Sequence, residues 1–451
     1  MMRNPADAVE HRRSSQDCGA ALANARTDSR AKYDPQGALQ KETSDTTWVD
    51  SPQVPQTGPQ RIRVLHSVGH LLRGGIETWL YQTIRHLDPE VYEHHVLVWT
   101  EDEQAFTEEF RAAGATVLAC PGHSNPIRFA YNLRRLIRAH GPYDLLHTHG
   151  THFHGFVMLL ARVLGVKKVL AHSHTDIQPV LASAGIAYRA YAAAGNWAIR
   201  SCADAGFAVS DRAAVSMFGP SWAEEGRWKM LYCGIDFSAF DRMADPALRQ
   251  RLGIPRDRHV VGHIGRFHAQ KNQHFLLEVA ERVIAVRPDV HFLLIGDGPD
   301  RASVTQRAER LGVASHITIV RDCRTVPLHL LSAMDSFILP SLYEGLALAA
   351  VEAQAAGLSC LISDSVTAEV VVKKDSVRRL PLSLGAEAWA SALLDLPPRS
   401  ENQSENLRRW FLGGPFDIVE SAKLLDSAYQ DLRMSSLSSV RPNVPPENRT
   451  S

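Results

Sequence analysis

The stretch Ser336–Gly357, SFILPSLYEGLALAAVEAQAAG, contains a complete strand–loop–helix unit. Phe337, Ile338 and Leu339 form a short continuous apolar run, as in a parallel strand covered by helices on both faces. Pro340 cannot donate to a sheet ladder, so the strand is expected to stop there. A short loop then carries Glu344 and Gly345, and a helix is predicted from about Leu346. Glu344 therefore falls at the carboxyl end of a strand, where open α/β sheets bind ligands. The first amides of the helix, those of Leu346, Ala347 and Leu348, are expected to be unpaired at its positive dipole end and to suit a phosphate group. Glu352, two turns into the predicted helix, could join Glu344 in holding sugar and ribose hydroxyls. The E-x7-E spacing alone describes two solvated glutamates equally well.

The same alternation extends outward in both directions. Apolar runs at His259–Gly265, His291–Gly298, His316–Val320, Ser336–Ser341 and Ser359–Ser363 alternate with helix-length segments. An earlier series runs through Arg61–Val68, His94–Thr100, Thr116–Cys120, Asp144–Gly150, Lys168–His174 and Gly206–Ser210. A helix is predicted between the first two of these, with Ile76, Leu80, Ile84 and Leu87 on one face. The Pro- and charge-containing segment Asp236–Asp257 separates the two series. Two doubly wound α/β domains follow, at 61–240 and 256–415, facing each other across a cleft. A C-terminal amphipathic helix is expected at 416–434 after the Gly413-Gly414-Pro415 break. It either packs on the second domain or returns to the first and ties the two together. The tails 1–60 and 435–451 are poor in large apolar residues and are expected to be disordered.

Composition narrows the function. Lys plus Arg and Asp plus Glu both total 49 in 451 residues, which argues against a nucleic-acid-coating surface. Anion binding must then be local. The six cysteines, Cys18, Cys120, Cys202, Cys233, Cys323 and Cys360, include no C-x-x-C pair, so a reducing compartment is expected. No apolar run reaches the roughly 18 residues needed to span a bilayer, and no hydrophobic leader opens the chain. A cytoplasmic location follows as the expectation.

Two further stretches carry chemistry. In HIGRFHAQKNQHFLLEVA, Gly265, Arg266 and Lys271 leave the end of an apolar strand. Arg266 by forked hydrogen bonds and Lys271 as a compact charge could neutralise a diphosphate. A solvated surface pair is the plainer reading. In HLLRGGIETWL, Gly74 and Gly75 open a helix after the first strand and would let backbone approach a ligand, or would simply form a turn. Neither domain shows G-x-G-x-x-G after its first strand, which disfavours a dinucleotide oxidoreductase.

Together these stretches resemble the family 4 retaining glycosyltransferases of the GT-B fold, from about Arg61 to Leu432. The matching residues are Gly74, Gly75 and Glu77; Gly265, Arg266 and Lys271; Gly296–Pro299; the Pro-Ser-x-x-Glu-Gly run through Glu352; and Gly234–Asp236 followed by Phe240. The phrasing around Leu339–Ser363 is most similar to capsular and exopolysaccharide enzymes. The resemblance implies that Arg266 and Lys271 bind the donor diphosphate and stabilise it as it leaves. It implies that Glu344 holds the transferred sugar, Glu352 the ribose, and that Gly74 and Gly75 close over the sugar phosphate. It matches His172 to a histidine near the sugar; a structural histidine is the alternative. It implies retention by front-face attack, with the departing phosphate taking the acceptor proton. Arg321–Arg324 stands where the family has a glycine framing the nucleobase, and Ala347 replaces a frequent proline.

No Asp-x-Asp follows a strand in either domain, so no metal and no cofactor is expected beyond the nucleotide-diphosphate sugar. The run His147, His149, His152, His154 could bind zinc, but it has no nearby carboxylate or cysteine. The acceptor is expected to be a glycan or lipid-linked precursor. Peripheral contact with the inner face of the plasma membrane would use Arg128, Arg134, Arg135 and Arg138 on one helix; a solvated face is the alternative. A nucleotide-sugar epimerase on the same fold and a non-catalytic sugar-nucleotide-binding protein are the rival functions.

Overall fold

The computed structural model describes residues 61–72, 74–242, 245, 247–321, 327–399 and 409–438. The expected tail 1–60, the end of the chain from 439 and the positions Asp322, Cys323 and Arg324 lie outside them. Both sheets fall within one compact unit, Gly58–Ser451.

The first sheet contains β1 (Ile62–Gly69), β2 (Tyr92–Val98), β3 (Thr116–Ala119), β4 (Leu145–Thr148), β5 (Lys168–Ser173), β6 (Ala205–Ala208) and β7 (Trp228–Met230). Their order is β3-β2-β1-β4-β5-β6-β7, with every pairing parallel. The second sheet contains β8 (His259–Ile264), β9 (Val290–Ile295), β10 (Ile317–Val320), β11 (Ser336–Leu339), β12 (Ser359–Ser363) and β13 (Val377–Leu380). It repeats the pattern as β10-β9-β8-β11-β12-β13, again all parallel. In each sheet the chain reverses direction beside the first strand, and that switch point opens a crevice at the carboxyl ends. The two lobes are the two Rossmann-like halves expected of this architecture.

Strands β9, β11 and β12 are buried along their whole length, which explains their unbroken apolar runs. The strands β7 and β13 have no counterpart in the sequence reading. Each is an edge strand, short and interrupted by charge: Trp-Lys-Met and Val-Arg-Arg-Leu. An edge needs apolar contact on fewer sides, so its hydrophobic signature is weak.

The boundary segment after Asp236 also contributes to packing, with Phe237, Phe240, Leu248 and Ile254 buried in the core of the second lobe. Two other expectations are corrected. The helix after β11 begins at Leu348, not Leu346, so Glu352 lies about one turn in rather than two. The C-terminal helix continues to Ser438, beyond the expected start of the tail at 435.

That helix, Ile418–Ser438, packs on the first lobe. Ile418, Leu425 and Tyr429 are buried in the same core as β1, β4 and β5. Trp79 Nε1 donates to Ser421 Oγ at 3.0 Å, and Ser421 Oγ donates to the Tyr232 carbonyl at 3.0 Å. Just before the helix, Ile235 N donates to the Phe416 carbonyl at 2.8 Å and Ile418 N returns to the Ile235 carbonyl at 3.1 Å. A Cβ on Gly234 would sit 2.5 Å from Ile418 Cα, so only glycine allows this crossing. Among the described residues, no helix is long and apolar enough to cross a membrane.

Candidate active site

The carboxyl ends of β8 and β11 build the charged part of the site. Beyond β8, His268–Lys271 makes a single tight turn that ends at Asn272, whose φ of 56° is left-handed. Asparagine tolerates that conformation better than most residues. The turn folds Lys271 back over Gly265, where a Cβ would lie 3.1 Å from the lysine stem. Lys271 Nζ donates to Glu344 Oε1 at 2.6 Å; the two side chains are 18 % and 6 % exposed. Gln270 reinforces the pair, donating to the Tyr343 carbonyl at 3.0 Å, while Leu342 N donates to the Gln270 carbonyl at 2.8 Å. Asn272 Nδ2 donates to the Pro340 carbonyl at 3.2 Å. The Gly265–Lys271 and Pro-Ser-x-x-Glu-Gly segments, some seventy residues apart, are thus one bonded unit. Ser341 Oγ, fully buried in this loop, has no hydrogen-bond partner among the described residues.

Arg266 follows β8 directly and is exposed, with no ion pair among the described residues. Its backbone is fixed, because its carbonyl accepts from Gln273 Nε2 at 3.0 Å. Arg266 is therefore a positioned cation with a free head, whereas Lys271 is held by a carboxylate.

The helix after β11 supplies the rest. Ala347 is its cap and is buried, and Leu348 N already bonds the Leu346 carbonyl at 2.9 Å. The Leu348 amide is thus engaged within the turn instead of being open as expected. Glu352 keeps partial solvent access, yet its surroundings push its carboxyl up to about 7 through burial. A carboxyl with that value is half ionised near neutral pH, which is common in binding sites that later satisfy the charge.

The first lobe closes over this helix. Gly75 opens the Gly75–His86 helix, and a Cβ there would lie 3.5 Å from Leu348 Cδ1. Glu77, in the first turn, curls back so that its Oε2 would be 2.5 Å from a Cβ on Gly74; burial raises its carboxyl to about 7. A second contact joins the lobes at Gly345, where a Cβ would fall 2.0 Å from the His174 carbonyl oxygen and 2.9 Å from Thr175 Cα. The Glu-Gly loop is therefore pressed against the end of β5.

His172 lies elsewhere. It is fully buried on β5, its ring edge-on to Trp79 at 4.9 Å and 3.9 Å from His174. Burial pulls its pKa down to about 3, opposed only by the Leu231 backbone. The residue whose main chain meets the Glu344–Gly345 loop is His174, two positions on. The sequence contains both histidines in HSH, two residues apart and so on one face, and what distinguishes them is that β5 ends at Ser173, leaving His172 within the strand and His174 just beyond it. The run His147–His154 also separates. His154 lies over Gly150, and His152 sits edge-on to Tyr188 and Tyr191.

Comparison with known proteins agrees with this geometry. Residues 73–239 match the model of Glycosyltransferase Family 4, and residues 244–408 match that of Glycosyl transferases group 1. EpsF of Bacillus subtilis (strain 168), whose name assigns it provisionally as a glycosyltransferase, is 32 % identical over 382 residues, 81 % of this chain and 96 % of EpsF. An Escherichia coli UDP-Gal:alpha-D-GlcNAc-diphosphoundecaprenol alpha-1,3-galactosyltransferase is 28 % identical over 186 residues, 40 % of this chain and 48 % of that enzyme. In fold, the chain is similar to Anabaena HepE in complex with UDP and glucose, with a TM-score of 0.66, 17 % identity, and coverage of 82 % and 100 %. It is similar also to WaaG, a glycosyltransferase involved in lipopolysaccharide biosynthesis, with a TM-score of 0.58, 15 % identity, and coverage of 85 % and 100 %. By its two matched halves and its full-length relative, the chain belongs to the family 4 glycosyltransferases of the GT-B fold.

Proposed function

We propose that this glycosyltransferase moves a hexose, with retention and without Mg²⁺ or Mn²⁺ at the diphosphate, from a nucleotide-diphosphate sugar to a glycan or lipid-linked acceptor. The pathway is assembly of an exopolysaccharide, capsule or other cell-envelope polysaccharide at the cytoplasmic face. The observation that carries this reading is the Lys271–Glu344 pair, cation and carboxylate 2.6 Å apart at the lobe junction, with Arg266 free beside it. A leaving diphosphate and the sugar it releases need those two kinds of group next to each other. EpsF, the galactosyltransferase and the UDP-bound HepE lend support to a nucleotide-sugar donor and an envelope polysaccharide pathway.

In this mechanism Glu352 accepts hydrogen bonds from the ribose and Glu344 from the sugar hydroxyls. A carboxylate has about four acceptor positions, so Glu344 can hold Lys271 and a hydroxyl together. As the glycosidic bond breaks, negative charge grows on the diphosphate, and Lys271 and Arg266 are preorganised to meet it. Gly74 and Gly75 let the first lobe approach the sugar phosphate. The departing phosphate takes the acceptor proton as the acceptor oxygen attacks the same face.

The test is turnover in Lys271→Ala and Arg266→Ala, each expected to fall by about 10²-fold or more with an unchanged circular dichroism spectrum. Near-normal turnover in either variant overturns the assignment. The anomeric configuration of the product, read by NMR, decides retention. Donor incubated without acceptor separates the rivals: an epimerised nucleotide sugar would mark an epimerase, and an inert but bound donor a binding protein. Membrane contact would use the Pro126–His140 helix, which buries Phe129, Leu133, Leu136 and Ile137 and leaves Arg128, Arg134, Arg135 and Arg138 exposed. Loss of co-sedimentation with anionic vesicles on neutralising these arginines would support it, and unchanged co-sedimentation would remove it.

A further inference from the structure

The first lobe encloses a set of histidines that the transfer reaction does not use. His66 on β1, His94 on β2, His147 on β4, His149 just beyond it, and His172 and His174 at the end of β5 are all buried. They come from four strands, and they face one another. His66 Nε2 lies 3.0 Å from His94 Nδ1, and His66 Nδ1 lies 3.1 Å from His149 Nε2. His149 Nδ1 lies 3.2 Å from His174 Nε2, and His174 Nδ1 lies 3.6 Å from Cys233 Sγ. His172 stands beside this chain at 0 % exposure, and among the described residues neither ring nitrogen makes a well-formed hydrogen bond, although the Leu231 backbone lies close.

We propose that His149, His172 and His174 form a three-histidine site for a borderline transition-metal cation of the Zn²⁺ class. One ligand nitrogen from each comes within 4.8 Å of the others. The 3.2 Å gap between His149 Nδ1 and His174 Nε2 is close to the ~3.3 Å edge of a tetrahedron with metal–nitrogen bonds of about 2.0–2.1 Å. Each of these two rings has its other nitrogen tied to an outer partner, His66 for His149 and Cys233 for His174. Such partners fix the tautomer and orientation of metal-binding imidazoles. One direction of protonation then satisfies the chain: His149 Nε2–H donates to His66 Nδ1, and His66 Nε2–H donates to His94 Nδ1. The lone pairs of His149 Nδ1 and His174 Nε2 face the same space.

Without a cation, one of those two nitrogens must carry a proton, and His172 keeps two buried nitrogens unmatched. Each unmatched buried polar group disfavours the folded state. A cation removes part of that cost through His172. The alternative trio His66, His147 and His149 is also close enough. It is disfavoured because, unlike the trio that includes His172, it contains no ring with both nitrogens unmatched among the described residues. An all-nitrogen ligand set suits Zn²⁺, Co²⁺ or Ni²⁺ and not Mg²⁺. The cation would hold the ends of β4 and β5 together, and the main chain of His174 transmits that rigidity to Gly345. The three ligands all belong to the first lobe, whereas Arg266 and Lys271 belong to the second, so the experiment needs no donor sugar.

The full chain, carrying no histidine tag, is loaded with Zn²⁺, desalted and assayed by mass spectrometry for metal. About one equivalent is expected in the wild type, and a stoichiometry below about one-tenth in His172→Ala. His86→Ala, which changes an exposed histidine, is expected to keep the full equivalent. Wild-type protein that elutes without metal overturns the proposal, as does equal loss in His86→Ala. If His172→Ala does not fold, Co²⁺ loading of the wild type decides: visible d–d bands of tetrahedral intensity support the site, and a spectrum equal to Co²⁺ in buffer refutes it.

Discussion

Glu352 shows how a single residue can report on the whole site. Burial alone raises its carboxyl to about 7 in the unliganded protein. In the proposed mechanism the ionised form accepts hydrogen bonds from the ribose hydroxyls, and those bonds favour the charged state. Nucleotide binding should therefore release a proton near pH 7, and affinity should rise between pH 6 and pH 8. The sign for folding is opposite: a carboxyl raised above its ordinary value favours the folded chain below pH 4.5, and that contribution is lost as pH climbs through 7. Calorimetry of nucleoside diphosphate binding in buffers of different ionisation enthalpy reads the proton directly. The phosphate also titrates in this range, so the informative quantity is the difference between wild type and Glu352→Gln. That variant should lose the extra proton and bind about 10-fold more weakly at pH 8, with little difference at pH 6. Equal proton release in the two proteins would remove Glu352 from the nucleotide site.

At the scale of the element, the Glu-Gly loop sets the distance between lobes. Gly345→Ala would put a methyl group 2.0 Å from a carbonyl oxygen and 2.9 Å from a Cα, both backbone atoms with little room to move. The expected cost is about 1–3 kcal/mol of stability, with a loss of turnover as Glu344 shifts. Gly75→Ala is the contrast. Its methyl group would meet only Leu348 Cδ1 at 3.5 Å, an ordinary contact, so thermal stability should hold. Turnover should still fall if backbone must approach the sugar phosphate there. Matching thermal shifts in the two variants would contradict this difference. The sequence made these loops legible because apolar strands, turn residues and charged groups followed one another in a fixed order, so that Arg266, Lys271 and Glu344 could be placed from strand ends, whereas the depth of Glu352 in its helix was misplaced by one turn. The histidine set was not legible in the same way. His66 lies within β1, His149 just beyond β4 and His174 just beyond β5, so nothing in their spacing along the chain marks them as one group. Only the β1-β4-β5 pairing brings them together, and sequence periodicity says nothing of which parallel strands are neighbours.

For the whole molecule, the question is what keeps two lobes with separate cores in register. The Ile418–Ser438 helix is the strongest candidate, because it starts on a bridge beside the interlobe segment and ends deep in the first core. Leu425 and Tyr429 are fully buried there, and Tyr429 Oη lies 2.7 Å from His147 Nδ1. Tyr92 Oη bonds Asp426 and accepts from Gln430 at 3.0 Å, so polar contacts as well as packing hold the helix to β2. Leu425→Ala should cost about 2–5 kcal/mol, the range for emptying a leucine-sized space in a core. The damage should be local. The second lobe has its own two apolar clusters, and among the described residues neither includes a residue of this helix, only Phe416 just before it. Hydrogen exchange can resolve this, since amides report the stability of their own cooperative unit. In Leu425→Ala, protection should drop along β1, β4 and β5 and remain along β8, β9 and β11. A fall of equal size in both sheets would mean that the lobes unfold as one body and that the helix is not a separable strap. A fall confined to the second sheet would place the helix on the wrong lobe. Under the expected outcome, donor binding survives in the variant while transfer is lost, because Arg266 and Lys271, the proposed diphosphate ligands, belong to the second lobe, and in the proposed mechanism the first lobe closes over them.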